Sequence, residues 1–283
     1  MRITFLGTGA ATGVPLPFCR CGYCNAAREQ GGKNFRRRSS LLINRDLLID
    51  LGPDVGTAAQ EFGADLTELR WCLQTHAHSD HFDPGIFVTR LAEYAVREVP
   101  PLSLVASAET FRAMSRRLSE EEPGVDLLEE GWQQRLNCTV MPVRHGETVL
   151  AGSYQITALD SLHDPAQGAL IYLIEQDGTA VLYGTDLSGW SERCWEVMED
   201  RNIRLDWLIL DQTYGAANGT GHLNARQVAR LCRQMQENGF LKPAGRCYAT
   251  HLSHEGNPPH EQAQRLALQN GYEIAYDGLV LEA

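Results

Sequence analysis

The sequence predicts an α/β fold of the α+β kind, with two β-sheets packed face to face and helices outside. Three observations carry this. Apolar runs of strand length fall into two groups, each followed by segments of helical pattern, so the order reads strands, helices, strands, helices. The 283 residues are ample for a packed core. No short-period repeat or low-complexity linker breaks them up.

Taken in order, Ile3–Leu6 is an apolar strand that ends in a glycine turn and does not resemble a signal peptide. The loop Gly7-Thr8-Gly9-Ala10-Ala11-Thr12-Gly13 lacks the spacing of a dinucleotide fingerprint, so no phosphate role attaches to it. Cys19-Arg20-Cys21-Gly22-Tyr23-Cys24 sets three thiols in six positions. Such a knuckle suits a tetrahedral zinc with a fourth ligand from elsewhere; the rival is free thiols or a stray disulfide. Arg36-Arg37-Arg38 reads by default as a solvated basic turn, with a place near an anionic substrate as the alternative. Ser40–Ile43 and Leu47–Leu51 form a hairpin closed by Asp50-Leu51-Gly52. A carboxylate ending an apolar strand needs a hydrogen-bonding task, and steadying a neighbouring loop is one.

Arg70–Gln74 reads as a buried strand, and Thr75-His76-Ala77-His78-Ser79-Asp80-His81 follows it directly. Imidazole and carboxylate suit borderline divalent metals. Alternate side chains of such a loop can face opposite ways, so that His76 and His78 grip one ion while Asp80 and His81 reach a second. Pro84–Val96 and Glu109–Leu118 are expected helices around strand Leu102–Ala106, and Glu120-Glu121-Glu122 a solvated helix end. Strands follow at Cys138–Val143, Tyr154–Leu159, Leu170–Glu175 and Ala180–Gly184. Helices Trp190–Asp200, Ala225–Asn238 and Pro259–Asn270 then alternate with strands Trp207–Leu210, Arg246–Thr250, Tyr272–Ala275 and Leu279–Glu282. His163, Asp186 and His251 each follow a strand, a shared position that lets them converge on one edge. Asp186, with two oxygens to share, is the natural bridge between two cations.

Composition narrows the partners. Acidic residues exceed basic ones by eleven, which argues against broad nucleic-acid binding but not against one phosphate held by metal. No apolar run approaches the roughly twenty residues of a membrane span. Eight cysteines without a secretory signal point to a cytoplasmic location. The sequence fixes no oligomeric state, a homodimer among the options.

His76-Ala77-His78-Ser79-Asp80-His81, with Asp50 before it and His163, Asp186 and His251 after it, resembles the metallo-β-lactamase superfamily. The resemblance implies an αββα four-layer sandwich as one domain over residues 1–283. It implies one metal on His76, His78 and His163, another on Asp80, His81 and His251, and Asp186 between them. His145 is the rival for the place of His163. The cysteine knuckle, together with Thr250-His251-Leu252-Ser253-His254, is similar to the PhnP-type phosphodiesterases of phosphonate breakdown. There three cysteines and a histidine hold a structural zinc, so Cys19, Cys21, Cys24 and His254 are the expected ligands. Gly221-His222-Leu223-Asn224 resembles the segment carrying that group's extra active-site histidine. The expected catalytic residues are therefore His222 and Asp80, and the expected cofactors a manganese or zinc pair. The implied activity is hydrolysis of a small cyclic phosphate ester such as 5-phosphoribosyl 1,2-cyclic phosphate. A tRNase Z-like RNA phosphodiesterase, a thioester or lactone hydrolase, and a non-catalytic PqqB-like metal-binding protein are the alternatives.

Overall fold

In the computed structural model, which describes residues 1–94 and 99–283, the apolar runs become two sheets of seven strands each. The first half of the chain supplies β1 (Arg2–Gly7), α1 (Gly22–Gln30), β2 (Ser40–Ile43), β3 (Leu47–Ile49), α2 (Val55–Phe62) and β4 (Trp71–Leu73). It continues with α3 (Pro84–Phe87), β5 (Leu102–Ala106), α4 (Ala108–Leu118), α5 (Glu130–Arg135) and β6 (Cys138–Pro142). The second half supplies β7 (Thr148–Ala151), β8 (Tyr154–Asp160), β9 (Leu170–Gln176), β10 (Thr179–Gly184), α6 (Glu192–Asp200) and β11 (Leu205–Asp211). After these come α7 (Ala225–Glu237), β12 (Leu241–Thr250), α8 (His260–Leu268), β13 (Glu273–Ile274) and β14 (Val280–Glu282).

The strand orders are β14-β1-β2-β3-β4-β5-β6 and β13-β12-β11-β10-β9-β8-β7. Side chains alternate between two buried faces, as a strand repeat of two residues demands. On β10, Val181 and Tyr183 join the core between the sheets, while Ala180 and Leu182 face the helical layer. On β11, Trp207 and Ile209 point in and Leu208 and Leu210 point out. Strands buried on both faces read as continuous apolar runs. The four layers are helices, sheet, sheet, helices, as a metallo-β-lactamase-like sandwich requires. Strands β3 to β6 run parallel, as do β10 to β13. β8 shares the direction of β10, both being antiparallel to β9. Among the described residues, no helix is long and apolar enough to cross a membrane.

The structure departs from the sequence reading in three places. The helix expected over Pro84–Val96 stops at Phe87, tightens into a 3₁₀ turn at Val88–Arg90 and becomes extended at Leu91. Arg90 turns inward to donate to the carbonyls of Pro100, Leu136 and Asn137; residues 95–96 of that expected helix lie outside the described residues. The structure adds short elements that the apolar pattern does not predict: α1, α2 and α5, and strand β7. Finally, the triple arginine is not a solvated turn. Arg36 is 2% exposed and donates to Tyr23 Oη, Thr8 Oγ1 and the Ala275 carbonyl at 3.0, 2.8 and 2.7 Å. Arg37 meets Glu61 and Asp277, and Arg38 meets Asp54.

Candidate metal centre

β4 delivers the histidine loop to the sandwich edge, and Asp50 fixes its shape. The carboxylate follows β3, is fully buried, and accepts from Thr75 N (2.8 Å), Thr75 Oγ1 (2.9 Å) and Gln74 Nε2 (3.1 Å). Its other oxygen accepts His81 Nδ1 at 2.7 Å. Gly52 lets the backbone close over the loop, since a Cβ there would lie 2.4 Å from the Asp80 carbonyl oxygen.

Two ligand groups result. In the first, His76 Nε2 lies 2.8 Å from His78 Nδ1, which lies 3.4 Å from His163 Nε2. The opposite nitrogen of each ring faces an acceptor. His163 Nδ1 donates to the Gly221 carbonyl at 2.8 Å, and His78 Nε2 faces Asp164 Oδ2 at 3.2 Å. His76 Nδ1 faces Thr75 Oγ1 at 3.1 Å, whose proton serves Asp50. Three lone pairs therefore converge, an arrangement that repels itself without a cation between them. Tetrahedral ligands at about 2.0–2.1 Å from zinc sit roughly 3.3 Å apart, close to these separations.

The second group is Asp80, His81, Asp186 and His251, all buried, with ligand atoms within 4.8 Å of one another. His251 Nδ1 is held by Thr213 Oγ1 at 2.8 Å, and Thr213 donates to Asp211 Oδ1 at 2.8 Å. That leaves His251 Nε2, His81 Nε2 and Asp186 Oδ2 buried without hydrogen bonds, although His81 and Asp186 are in close contact. Asp186 also reaches toward the first group, 3.8 Å from both His76 Nε2 and His163 Nε2. Asp50, Asp186 and His251 all hold the left-handed backbone region (φ 64°, 48° and 56°). Strain of that kind in non-glycine residues collects at functional sites.

The electrostatics ask for positive charge. Burial opposes ionisation of His251, yet the Asp186 and Asp80 carboxylates hold it up at about 9. Burial likewise works against His81, and Asp80, Asp186 and Asp50 together keep it well above the usual imidazole range. Burial and the neighbouring His81 push His76 well below it. Protons and divalent cations would compete for the same place, and the donor set fits metal ions.

The structure thus brings His76, His78, Asp80, His81, His163, Asp186 and His251 together. His145 belongs to neither group; its Nδ1 accepts from the Asp160 amide at 3.0 Å. His222 lies beside the second group, its Nδ1 2.8 Å from Asp211 Oδ2 and 3.2 Å from Asp186 Oδ1. Capping of α7 falls to Asn224, with Gln227 completing a capping box. Sequence reasoning missed Asp211, which is fully buried at the end of β11 and anchors both His222 and Thr213. The available signal was its strand-end position, shared with Asp50. Asp186, Asp211, His222 and His251 also form a group able to hold an ion.

The cysteine knuckle gathers beside this edge. His254, just beyond β12, places Nδ1 3.4 Å from Cys19 Sγ and 3.5 Å from Cys21 Sγ. With Cys24 these ligand atoms lie within 4.8 Å of one another. The cysteines are free, so no disulfide competes. Burial disfavours the Cys21 thiolate, but the Cys24 amide and His254 outweigh it and bring the thiol down to about 6. Burial and the neighbouring thiols push Cys24 up to about 11. An ion would relieve the crowding of sulfurs that this split expresses.

A cavity of about 310 Å³ opens over the histidines, walled by Thr12, His78, His163, Tyr214, His222 and Glu255. Among known proteins, the model of the Beta-lactamase superfamily domain matches residues 45–252. A diphosphatase from the PhnP family superposes over 100% of this chain and 97% of its own, with TM-score 0.74 and 24% identity. Zn²⁺-bound PqqB from Methylobacterium extorquens superposes over 100% of both chains, with TM-score 0.74 and 19% identity. The short form of human tRNase Z gives 0.65 and 17% over 100% of this chain and 99% of its own. At these identities the likeness is one of fold. An octanoyltransferase of Porphyromonas gingivalis is 41% identical over 85 residues, 29% of this chain; the match spans only 16% of that protein's length.

Proposed function

The chain belongs to the β-lactamase superfamily, and from that premise we propose that it is a dinuclear metal phosphodiesterase acting on a small cyclic phosphate ester. The family fold and its neighbours support a metal-dependent hydrolase. The observation that carries the finer reading is Asp186, set between two ligand groups with the His222–Asp211 pair beside it. Divalent ions at such a site supply Lewis acidity and an activated water. We assign manganese or zinc to that pair and a structural zinc to Cys19, Cys21, Cys24 and His254.

The chain's own residues would do the rest. Asp211 holds His222 Nδ1–H, which turns Nε2 toward the cavity. The imidazolium form of His222 is the group that would protonate a departing alkoxide. Asp50 and Thr213 keep His81 and His251 in the tautomers that present Nε2. A cavity of about 310 Å³ suits a small ester better than a polymer, and an excess of eleven acidic residues disfavours RNA. Ribosyl cyclic phosphates, as in phosphonate breakdown, are the substrates that the PhnP-like knuckle suggests.

His222→Ala tests the assignment. Turnover of a diester with a poor leaving group should fall about 10²–10⁴-fold, and far less with a good one. Equal losses would remove the proton-donor role and leave phosphate positioning. Faster turnover of ribose 1,2-cyclic phosphate than of linear diesters, lactones or thioesters is the expected substrate ranking.

A further inference from the structure

A second cavity, of about 260 Å³, lies apart from the metal ligands, on the other side of the loop that carries His163. Its body is apolar, formed by Val143, Leu162, Pro165, Ala169 and Leu170. His145 stands in its wall with a side chain only 8% exposed. Because His145 Nδ1 accepts the Asp160 amide at 3.0 Å, the ring proton sits on Nε2, and no partner meets that N–H among the described residues. Arg144 lies on the same wall, and its guanidinium likewise has no carboxylate within salt-bridge distance there. The two carboxylates at this cavity are already matched, Asp160 by Arg193 at 2.9 Å and Glu109 by Arg112 at 3.4 Å. One ring N–H open to the cavity and one exposed cation at the mouth of an apolar pocket form a recognition pattern that neither packing nor the metal chemistry uses.

We propose that this cavity is a second ligand site, built for a small carboxylate with a compact apolar body. The acid group would accept from His145 Nε2–H and Arg144 while the body displaces water from Leu162 and Pro165. The wall it would touch is the segment from Ser161 to Ala169, where Leu162 is 46% exposed and holds φ 60°. That segment carries His163 and Asp164, the residue facing His78. It is pinned at its far end by Thr110 Oγ1, which donates to the Gln167 carbonyl at 2.8 Å. A bound acid would brace the His163 loop from behind.

The test is an amide-resolved NMR titration of the full, metal-loaded chain with benzoate, with benzyl alcohol as the uncharged control. Saturable shifts should cluster in residues 143–145 and 161–170, and benzyl alcohol should bind at least about tenfold more weakly. His145→Asn keeps an acceptor for the Asp160 amide but lacks the Nε2 donor, so it should weaken benzoate about tenfold without unfolding the chain. Arg144→Ala should do the same. Absence of saturable shifts, shifts centred on residues 76–81 and 222, or variants that bind as well as the parent would each overturn the assignment.

Discussion

The buried polar clusters around Arg36 and around Asp186 settle their polar atoms in opposite ways. Around Arg36 the guanidinium donates to Tyr23, Thr8 and Ala275, and its remaining edge faces His260 Nδ1 at 3.2 Å. Around Asp186 the polar atoms are as deeply buried, yet His81 Nε2, His251 Nε2 and Asp186 Oδ2 find no hydrogen bond. Leaving a buried polar atom unpaired costs about 1–3 kcal/mol, so a cluster that tolerates several is arranged around something else. The first cluster is complete as protein; the second leaves atoms over, in a donor set able to hold metal ions.

Chelation should separate them most sharply. Stripping metal should lower phosphodiester turnover at least about 10³-fold, as loss of several kcal/mol of Lewis-acid stabilisation implies, with recovery on adding manganese or zinc. The Arg36 cluster should keep the stripped chain folded by circular dichroism. Arg36→Met should act in the reverse sense. Orphaning its partners should cost about 3–5 kcal/mol in urea unfolding, with the metal content of the folded fraction unchanged. Depletion of metal in that variant would show that the clusters are not independent.

Acid should sharpen the contrast further. Burial first, then the charges of Arg36 and Lys33, hold His260 down at about 4 against an ordinary 6.5. Between those values the unfolded chain binds the extra proton, so this contribution is full above pH 6.5 and fades as the pH falls toward 4. The loss is at most about 3 kcal/mol. Asp277, pushed up to about 6 by burial, works oppositely: it keeps a proton when folded, so its contribution fades as pH rises from 3.8 to about 6. Replacing His260 with Gln should flatten or invert the acid-side decline in unfolding free energy. An unchanged decline would place its origin elsewhere.

The clusters also differ in how much of them was legible in the sequence. The histidine loop is contiguous, and His163, Asp186 and His251 follow strands, so local pattern was enough to nominate them. The two-sheet architecture was legible for a similar reason, since doubly buried strands such as Val181–Tyr183 leave continuous apolar runs. Arg36 was misread because its partners lie at positions 8, 23, 260 and 275, and three arginines in a row show only their charge. Asp211 escaped because a lone aspartate after a strand gains its meaning from His222, which only the fold lays against it. Helix α2 escaped because eight residues carry too little periodicity to stand out.

Whether cations fill the Asp186 cluster is decided by counting metal per chain with elemental mass spectrometry, on the parent protein, Asp186→Ala and Cys21→Ser. The parent should hold a pair of ions plus one zinc; Cys21→Ser should lose the zinc alone, and Asp186→Ala should lose from the pair alone. A folded Asp186→Ala protein that retains its full complement of metal would mean that Asp186 holds no ion.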